Sequence, residues 1–213
     1  MMKKSKRSDV DPFIVMDVME SARIAEEKGK DIIHMEVGQP GTPAPKIAKD
    51  YITNEINKNN LGYTVSLGLP ALRTKISKLY GDWYNLDLNP NRIVVTTGSS
   101  GAFILSFSAL FDSGDRVGIG SPSYPSYRQI LKSLSLETVD IQTKLQNRFQ
   151  PVPEDITNNN LNGILVASPA NPTGSMLDKQ SLENLINTAN ENNVSFISDE
   201  IYHGIQYENN PTS

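Results

Sequence analysis

Residues 92–119 read RIVVTTGSSGAFILSFSALFDSGDRVGI, and this stretch decides the fold. Ile93–Thr97 is a short apolar run with β-branched residues, the composition of a buried strand. A polar turn, Gly98-Ser99-Ser100-Gly101, follows, then an apolar segment over 102–111, then a second apolar run at Arg116–Ile119. No charge falls between Ile93 and Phe111, nineteen residues and close to a membrane-spanning length. Six consecutive small polar residues from Thr96 to Gly101 would break a lipid-exposed helix, so strand, turn and buried helix is the reading adopted.

The same alternation continues downstream. Leu136–Ile141, Gly163–Ala167 and Val194–Ser198 read as strands, and the segments around 124–134 and 178–192 read as helices. Strands alternating with helices predict an α/β fold with a mostly parallel sheet covered on both faces. Upstream, Asp11-Pro12 is expected to open a helix that Gly29 stops, and further helices are expected over Pro45–Asn57 and Pro70–Tyr84. Between the first two lie a short apolar piece, Ile32–Val37, and a rigid loop from Gly38 to Pro43.

Composition narrows the function. The chain has 213 residues, 38% hydrophobic and 21% charged, enough for a real core and against disorder. Zero Cys excludes disulfide scaffolds, thiolate zinc sites and Cys nucleophiles, and fits a reducing cytoplasm. Lys3, Lys4, Lys6 and Arg7 form a basic start; the rest holds 16 bases against 24 acids, a poor match to nucleic acid. Asp9 and Asp11 interrupt any signal-peptide pattern, so the start reads as a solvated arm.

In an open α/β sheet, ligands bind beyond the carboxyl ends of the strands. Those ends carry Gly98-Ser99-Ser100-Gly101, then Ser121 to Tyr127, then Ser168-Pro169-Ala170-Asn171-Pro172-Thr173-Gly174, then Asp199-Glu200-Ile201-Tyr202. A Gly/Ser turn entering a helix offers N–H groups, hydroxyls and the positive dipole end to a phosphate. Tyr124 offers a flat ring between Pro122 and Pro125, and Asn171 an amide with donor and acceptor. Asp199 at a buried strand end needs a partner, which a protonated heterocyclic nitrogen would supply. Together these describe a phosphorylated heteroaromatic cofactor.

Each piece also has a plain structural reading. The Gly/Ser turn is neither GxGxxG nor Walker A, nor does it complete G-x-S-x-G. Tyr124 could simply pack, Asn-Pro-Thr-Gly is a turn sequence, and Asp199 could cap a helix starting at Glu200. His34 and His203 lack partners for metal or triad chemistry. Four such features at one sheet edge favour the cofactor.

In this order and spacing, the chain resembles the pyridoxal-phosphate-dependent class I/II aminotransferases of fold type I. The matching stretches are Glu36–Pro40, Gly62-Tyr63-Thr64 with Gly68–Arg73, Thr97–Ala102, Ser168–Gly174 and Ser198–Tyr202. The resemblance implies pyridoxal 5'-phosphate as cofactor, with Ser99, Ser100 and Gly101 on its phosphate and Tyr124 stacked on its ring. It implies Asp199 on the pyridine nitrogen, and Asn171 and Tyr202 on the phenolic oxygen. Val37 and Gly38 would flank the substrate carboxylate, and Tyr63 would reach the neighbouring subunit's phosphate in a homodimer. The implied activity is amino transfer from an amino acid to a 2-oxo acid in the cytoplasm.

The resemblance divides the chain into an N-terminal arm and small-domain segment, 1–44, and a partial large cofactor-binding domain, 45–213. The family's Schiff-base Lys lies downstream of the Asp-Glu-Ile-Tyr segment, yet Lys179 is the last Lys here. Lys132, Lys144 and Lys179 read as surface residues. The expectation is therefore an incomplete, N-terminal portion of a longer enzyme, inactive and poorly folded alone. In the family the two strands after the Asp strand insert beside the strand preceding the phosphate turn, which would leave Ile93–Thr97 without neighbours. Alternatives are a C–S lyase or aminocyclopropane-carboxylate-synthase-like enzyme on the same scaffold, or a non-catalytic cofactor-binding fragment.

Overall fold

The structure, a computed structural model, describes residues 3–39 and 41–205. Its elements are α1 (Ile14–Glu27), α2 (Lys46–Ile56), α3 (Pro70–Tyr84), α4 (Gly98–Leu110), β1 (Arg116–Ser121), α5 (Pro125–Ser133) and β2 (Glu137–Gln142). These are followed by α6 (Pro153–Asn158), β3 (Gly163–Ala167), α7 (Lys179–Glu191) and β4 (Ser195–Asp199). The chain forms two compact units: one runs from Ile14 to Thr96, the other joins the stretch up to Phe13 with everything from Thr97 on.

In the second unit the four strands are all parallel, in the order β2-β1-β3-β4. Parallel strands need crossovers, and α5, α6 and α7 supply them. Alternation along β3 sends Leu165 to one face and Ile164 and Val166 to the other. Leu165 joins Val117 and Ile119 of β1 under Phe103 and Phe107 of α4 and Tyr127 and Leu131 of α5. Ile164 and Val166 pack with Ile156 of α6 and Leu185 and Ala189 of α7. This gives the three-layer arrangement expected for an α/β sheet. The strand order reverses between β1 and β3, and that switch point opens a crevice at their carboxyl ends.

The unit from Ile14 to Thr96 contains α1, α2 and α3. α1 begins at Ile14, two residues beyond Asp11-Pro12, and Gly29 terminates it at φ +79, its N–H bonded to Glu26 O at 2.8 Å. α3 has the bounds its sequence predicts, with Pro70 at the first turn and Asn85 capping it in the left-handed region. Arg73 of α3 is buried, and its guanidinium donates to Pro90 O at 2.6 Å and Ile93 O at 2.9 Å. Gly68, at φ +95, lies so close to Val95 that a Cβ would come within 2.5 Å of its side chain. The Gly68–Arg73 stretch thus has a local structural job.

One expected strand is absent. Ile93–Thr97 forms no strand, and no described strand pairs with it; Val95 N–H bonds to Leu67 O at 3.0 Å instead. β-Branched residues favour a pleated surface, but the strand exists only when a neighbour supplies its ladder. The apolar piece Ile32–Val37 has no regular structure. Among the described residues no helix is long and apolar enough to cross a membrane.

Candidate cofactor site

The segments beyond β1, β3 and β4 and the start of α4 build one cavity of about 240 Å³, lined by Ser99, Tyr124, Tyr127, Asn171, Asp199 and Tyr202 among others. Ser99 lies in the first turn of α4, whose start Gly98 makes possible at φ +73. Thr97, at the N-cap, makes no side-chain capping hydrogen bond. First-turn N–H groups have no partner inside their own helix, and α4 carries no acidic residue there to compete for an anion.

Tyr124 directly precedes α5, with Pro125 at the first helical position. Its half-buried ring meets Phe13 edge-on at 5.9 Å and Tyr127 edge-on at 5.4 Å. These contacts hold the ring's orientation at the cavity wall. After β3, Ser168 is buried, donating its N–H to Asp199 O at 3.2 Å and accepting from Leu177 N–H at 3.0 Å through Oγ. Asn171 follows three residues on, and its Nδ2 donates to Tyr202 Oη at 3.4 Å.

Asp199 ends β4 and is 7% exposed. Its Oδ1 accepts from Ile201 N–H at 3.0 Å, and its Oδ2 accepts a short hydrogen bond from the Tyr127 phenol. Residues 201–204 form turns, so Asp199 caps a turn where the sequence had allowed a helix. A carboxylate has about four acceptor positions, so two bonds leave capacity toward the cavity. Burial first, then the hydrogen bond to Asp199, pushes the Tyr127 phenol far above its ordinary value, which keeps it a donor.

The family described as "Aminotransferase class I and II" matches residues 30–212. The chain belongs to the class I and II aminotransferases. The valine–pyruvate aminotransferase of Mycobacterium tuberculosis is 41% identical over 207 residues, 96% of this chain and 53% of that protein. A crystal structure from Silicibacter pomeroyi is 59% identical with a TM-score of 0.87, covering 97% of this chain and 53% of that one. The crystal structure of a Mycobacterium tuberculosis aminotransferase is 39% identical with a TM-score of 0.94, over 100% of this chain and 56% of that one. The chain spans about half the length of the curated relatives it matches.

Membership of the class I/II aminotransferases implies pyridoxal 5'-phosphate, and the cavity's chemistry fits it. A helix start that Thr97 does not cap through its side chain, an oriented aromatic ring, a buried carboxylate with spare acceptor capacity and an amide–phenol pair face one space. Of the residues predicted from sequence, Ser99, Tyr124, Asn171, Asp199 and Tyr202 line this cavity. Ser100 and Gly101 continue the first turn of α4 without lining it. Val37, Gly38 and Tyr63 are exposed residues of the unit running from Ile14 to Thr96, and Pro40 lies outside the described residues.

Tyr127 is the residue that sequence reading missed. It sits inside α5 at a position that pattern alone assigns to the core, and its ring indeed packs on Phe103 at 5.2 Å. Its polar tip bonds Asp199 at the site. The available signal was Tyr rather than Phe at a buried helical position. Among the described residues no cluster of His, Asp and Glu could hold a metal ion.

Proposed function

We propose that this chain is the cofactor-binding portion of a pyridoxal-phosphate-dependent aminotransferase that moves an amino group from an amino acid to a 2-oxo acid. The observation that carries the reading is the buried carboxylate of Asp199 at the end of β4, in the same cavity as Ser99 in the first turn of α4. When bound, pyridoxal phosphate supplies a ring that takes up electron density from the amino acid's α-carbon.

The chain's own residues have separate tasks. The Ser99 hydroxyl and first-turn N–H groups, with Ser100 and Gly101 behind them, bind the phosphate. Tyr124 fixes the plane of the ring. Asp199 holds a proton on the pyridine nitrogen, because a buried carboxylate stabilises an adjacent cation. Tyr127 holds Asp199 in place by donating to Oδ2. Asn171 and Tyr202 donate to the phenolic oxygen, and Val37 and Gly38 flank the substrate carboxylate.

No lysine lines the cavity among the described residues; Lys132 pairs with Asp11 at 3.7 Å and Lys179 with Glu183 at 3.7 Å. The reading therefore assigns the Schiff-base lysine, which moves the α-proton, to the part of the protein beyond this chain. It also makes the protein a cytoplasmic homodimer in which Tyr63 reaches the neighbouring subunit's phosphate. Titration of the full-length protein with pyridoxal phosphate tests the site: Asp199→Ala and Tyr124→Ala should each weaken binding by about tenfold or more with the fold retained. Unchanged binding in both variants contradicts the reading.

A further inference from the structure

Gln150 lies between β2 and α6, and only 3% of it is exposed. Two consecutive residues in the left-handed region, Arg148 (φ 54) and Phe149 (φ 55), turn the chain inward just before it. Its Nε2 is 3.1 Å from Ala167 O, 3.1 Å from Ser175 O and 3.2 Å from Ser175 Oγ. Carbonyl oxygens only accept, so the nitrogen end of the amide must face them, and its two hydrogens serve both.

Those carbonyls bracket the loop that carries Asn171. Ala167 is the last residue of β3, and Ser175 closes the turn on the far side. Between them Ala170 N–H donates to Ser175 O at 2.9 Å, and Gly174 N–H donates to Ala170 O at 2.7 Å. The loop is thus closed on itself, and Gln150 is the side chain that ties its two ends together from a distant segment. Gln150, Ala167, Ala170 and Asn171 also line a narrow cleft of about 20 Å³ that shares Tyr127, Ala167 and Asn171 with the larger cavity.

We propose that Gln150 is a positioning residue: it clamps the Asn171 loop to the end of β3 and so sets the hydrogen bond that Asn171 gives the cofactor's phenolic oxygen. This rests on the cofactor reading of the site. A donor at that oxygen favours its anionic form, so weakening the donor raises the pH at which the bound cofactor's visible absorption changes. A small-to-moderate loss of one hydrogen bond moves that midpoint by roughly half to one pH unit.

The test is a spectrophotometric pH titration of the full-length holoenzyme with Gln150→Met, Asn171→Ala and both together. Gln150→Met should raise the midpoint in the same direction as Asn171→Ala, and the double variant should go no further than Asn171→Ala alone. Gln150→Leu, which fills the space but offers neither donor, should reproduce the shift. An unchanged midpoint in Gln150→Met, or shifts that add, overturns the proposal. If neither Gln150 variant folds, a crystal structure of the unmodified holoenzyme decides: Nε2 within hydrogen-bond reach of both carbonyls supports the clamp, and loss of either contact overturns it. A wild-type protein that shows no visible band with pyridoxal phosphate would fail differently, sinking the cofactor reading and this role with it.

Discussion

The phenol of Tyr127 donates to Oδ2 of Asp199 across 72 positions of sequence, joining the inside of α5 to the end of β4. Both residues are buried, at 2% and 7% exposure. The bond therefore does two things: it satisfies a carboxylate that would otherwise be costly to bury, and it aims the other lone pairs of that carboxylate into the cavity.

Tyr127→Phe removes only the donor. The ring keeps its edge-on contacts with Phe103 and Tyr124, so the fold should persist. The stranded carboxylate oxygen should cost about 1–3 kcal/mol of stability, read by chemical denaturation of the full-length protein. Pyridoxal phosphate affinity should fall as well. A variant as stable and as tightly binding as the wild type would show that the bond has no role.

Phe107→Ala tests the packing that supports α4. Phe107 is fully buried in α4, stacked on Phe103 at 5.8 Å and close to Phe111 at 6.2 Å. Truncation should cost about 3–5 kcal/mol, since neighbouring rings cannot collapse into the space left. A loss below about 1 kcal/mol would mean that this core repacks freely.

His34, in the unit running from Ile14 to Thr96, gives a pH-dependent signature. Its Nδ1 meets Glu36 Oε1 at 2.7 Å and its Nε2 meets Glu26 Oε1 at 2.9 Å, tying α1 to the segment before Val37 and Gly38. The hydrogen bond to Glu36, then that to Glu26, raises the imidazole from 6.5 to about 9. A raised folded-state value stabilises the protein below the unfolded value of about 6.5, and that contribution disappears as pH rises through about 9. An NMR titration of His34 should show the raised midpoint, and Glu36→Gln should lower it. A wild-type midpoint near 6.5 contradicts the bridge.

How much of this was legible in the sequence depends on the range of the interaction. α3 is specified locally by Pro70 at its start and Asn85 at its end, and its bounds came out as read. β1, β3 and β4 are apolar runs with turn signals behind them, so the parallel sheet was legible too, with ends shifted by up to two residues. Ile93–Thr97 has the same local character and forms no strand, because pairing is a property of neighbours. At the site, Tyr124, Asn171, Asp199 and Tyr202 stand at or just beyond the ends of β1, β3 and β4, and Ser99 opens α4 after its Gly/Ser turn, so each could be found by asking what its apolar run leads into. Tyr127 and Gln150 could not. Each acts through a partner remote in sequence, Asp199 for one and the Ala167 and Ser175 carbonyls for the other.

The most direct test of the central claim is a single-turnover measurement on the full-length protein loaded with pyridoxal phosphate. An amino acid is added without any 2-oxo acid, and the cofactor's visible absorption and the keto product are followed together. The account predicts loss of the aldehyde-form band in step with one equivalent of 2-oxo acid, reversed by a second 2-oxo acid, with Asp199→Ala slowed by orders of magnitude. A cofactor band that persists with every amino acid tried, or that decays with release of ammonia rather than retention of the amine, would contradict aminotransfer.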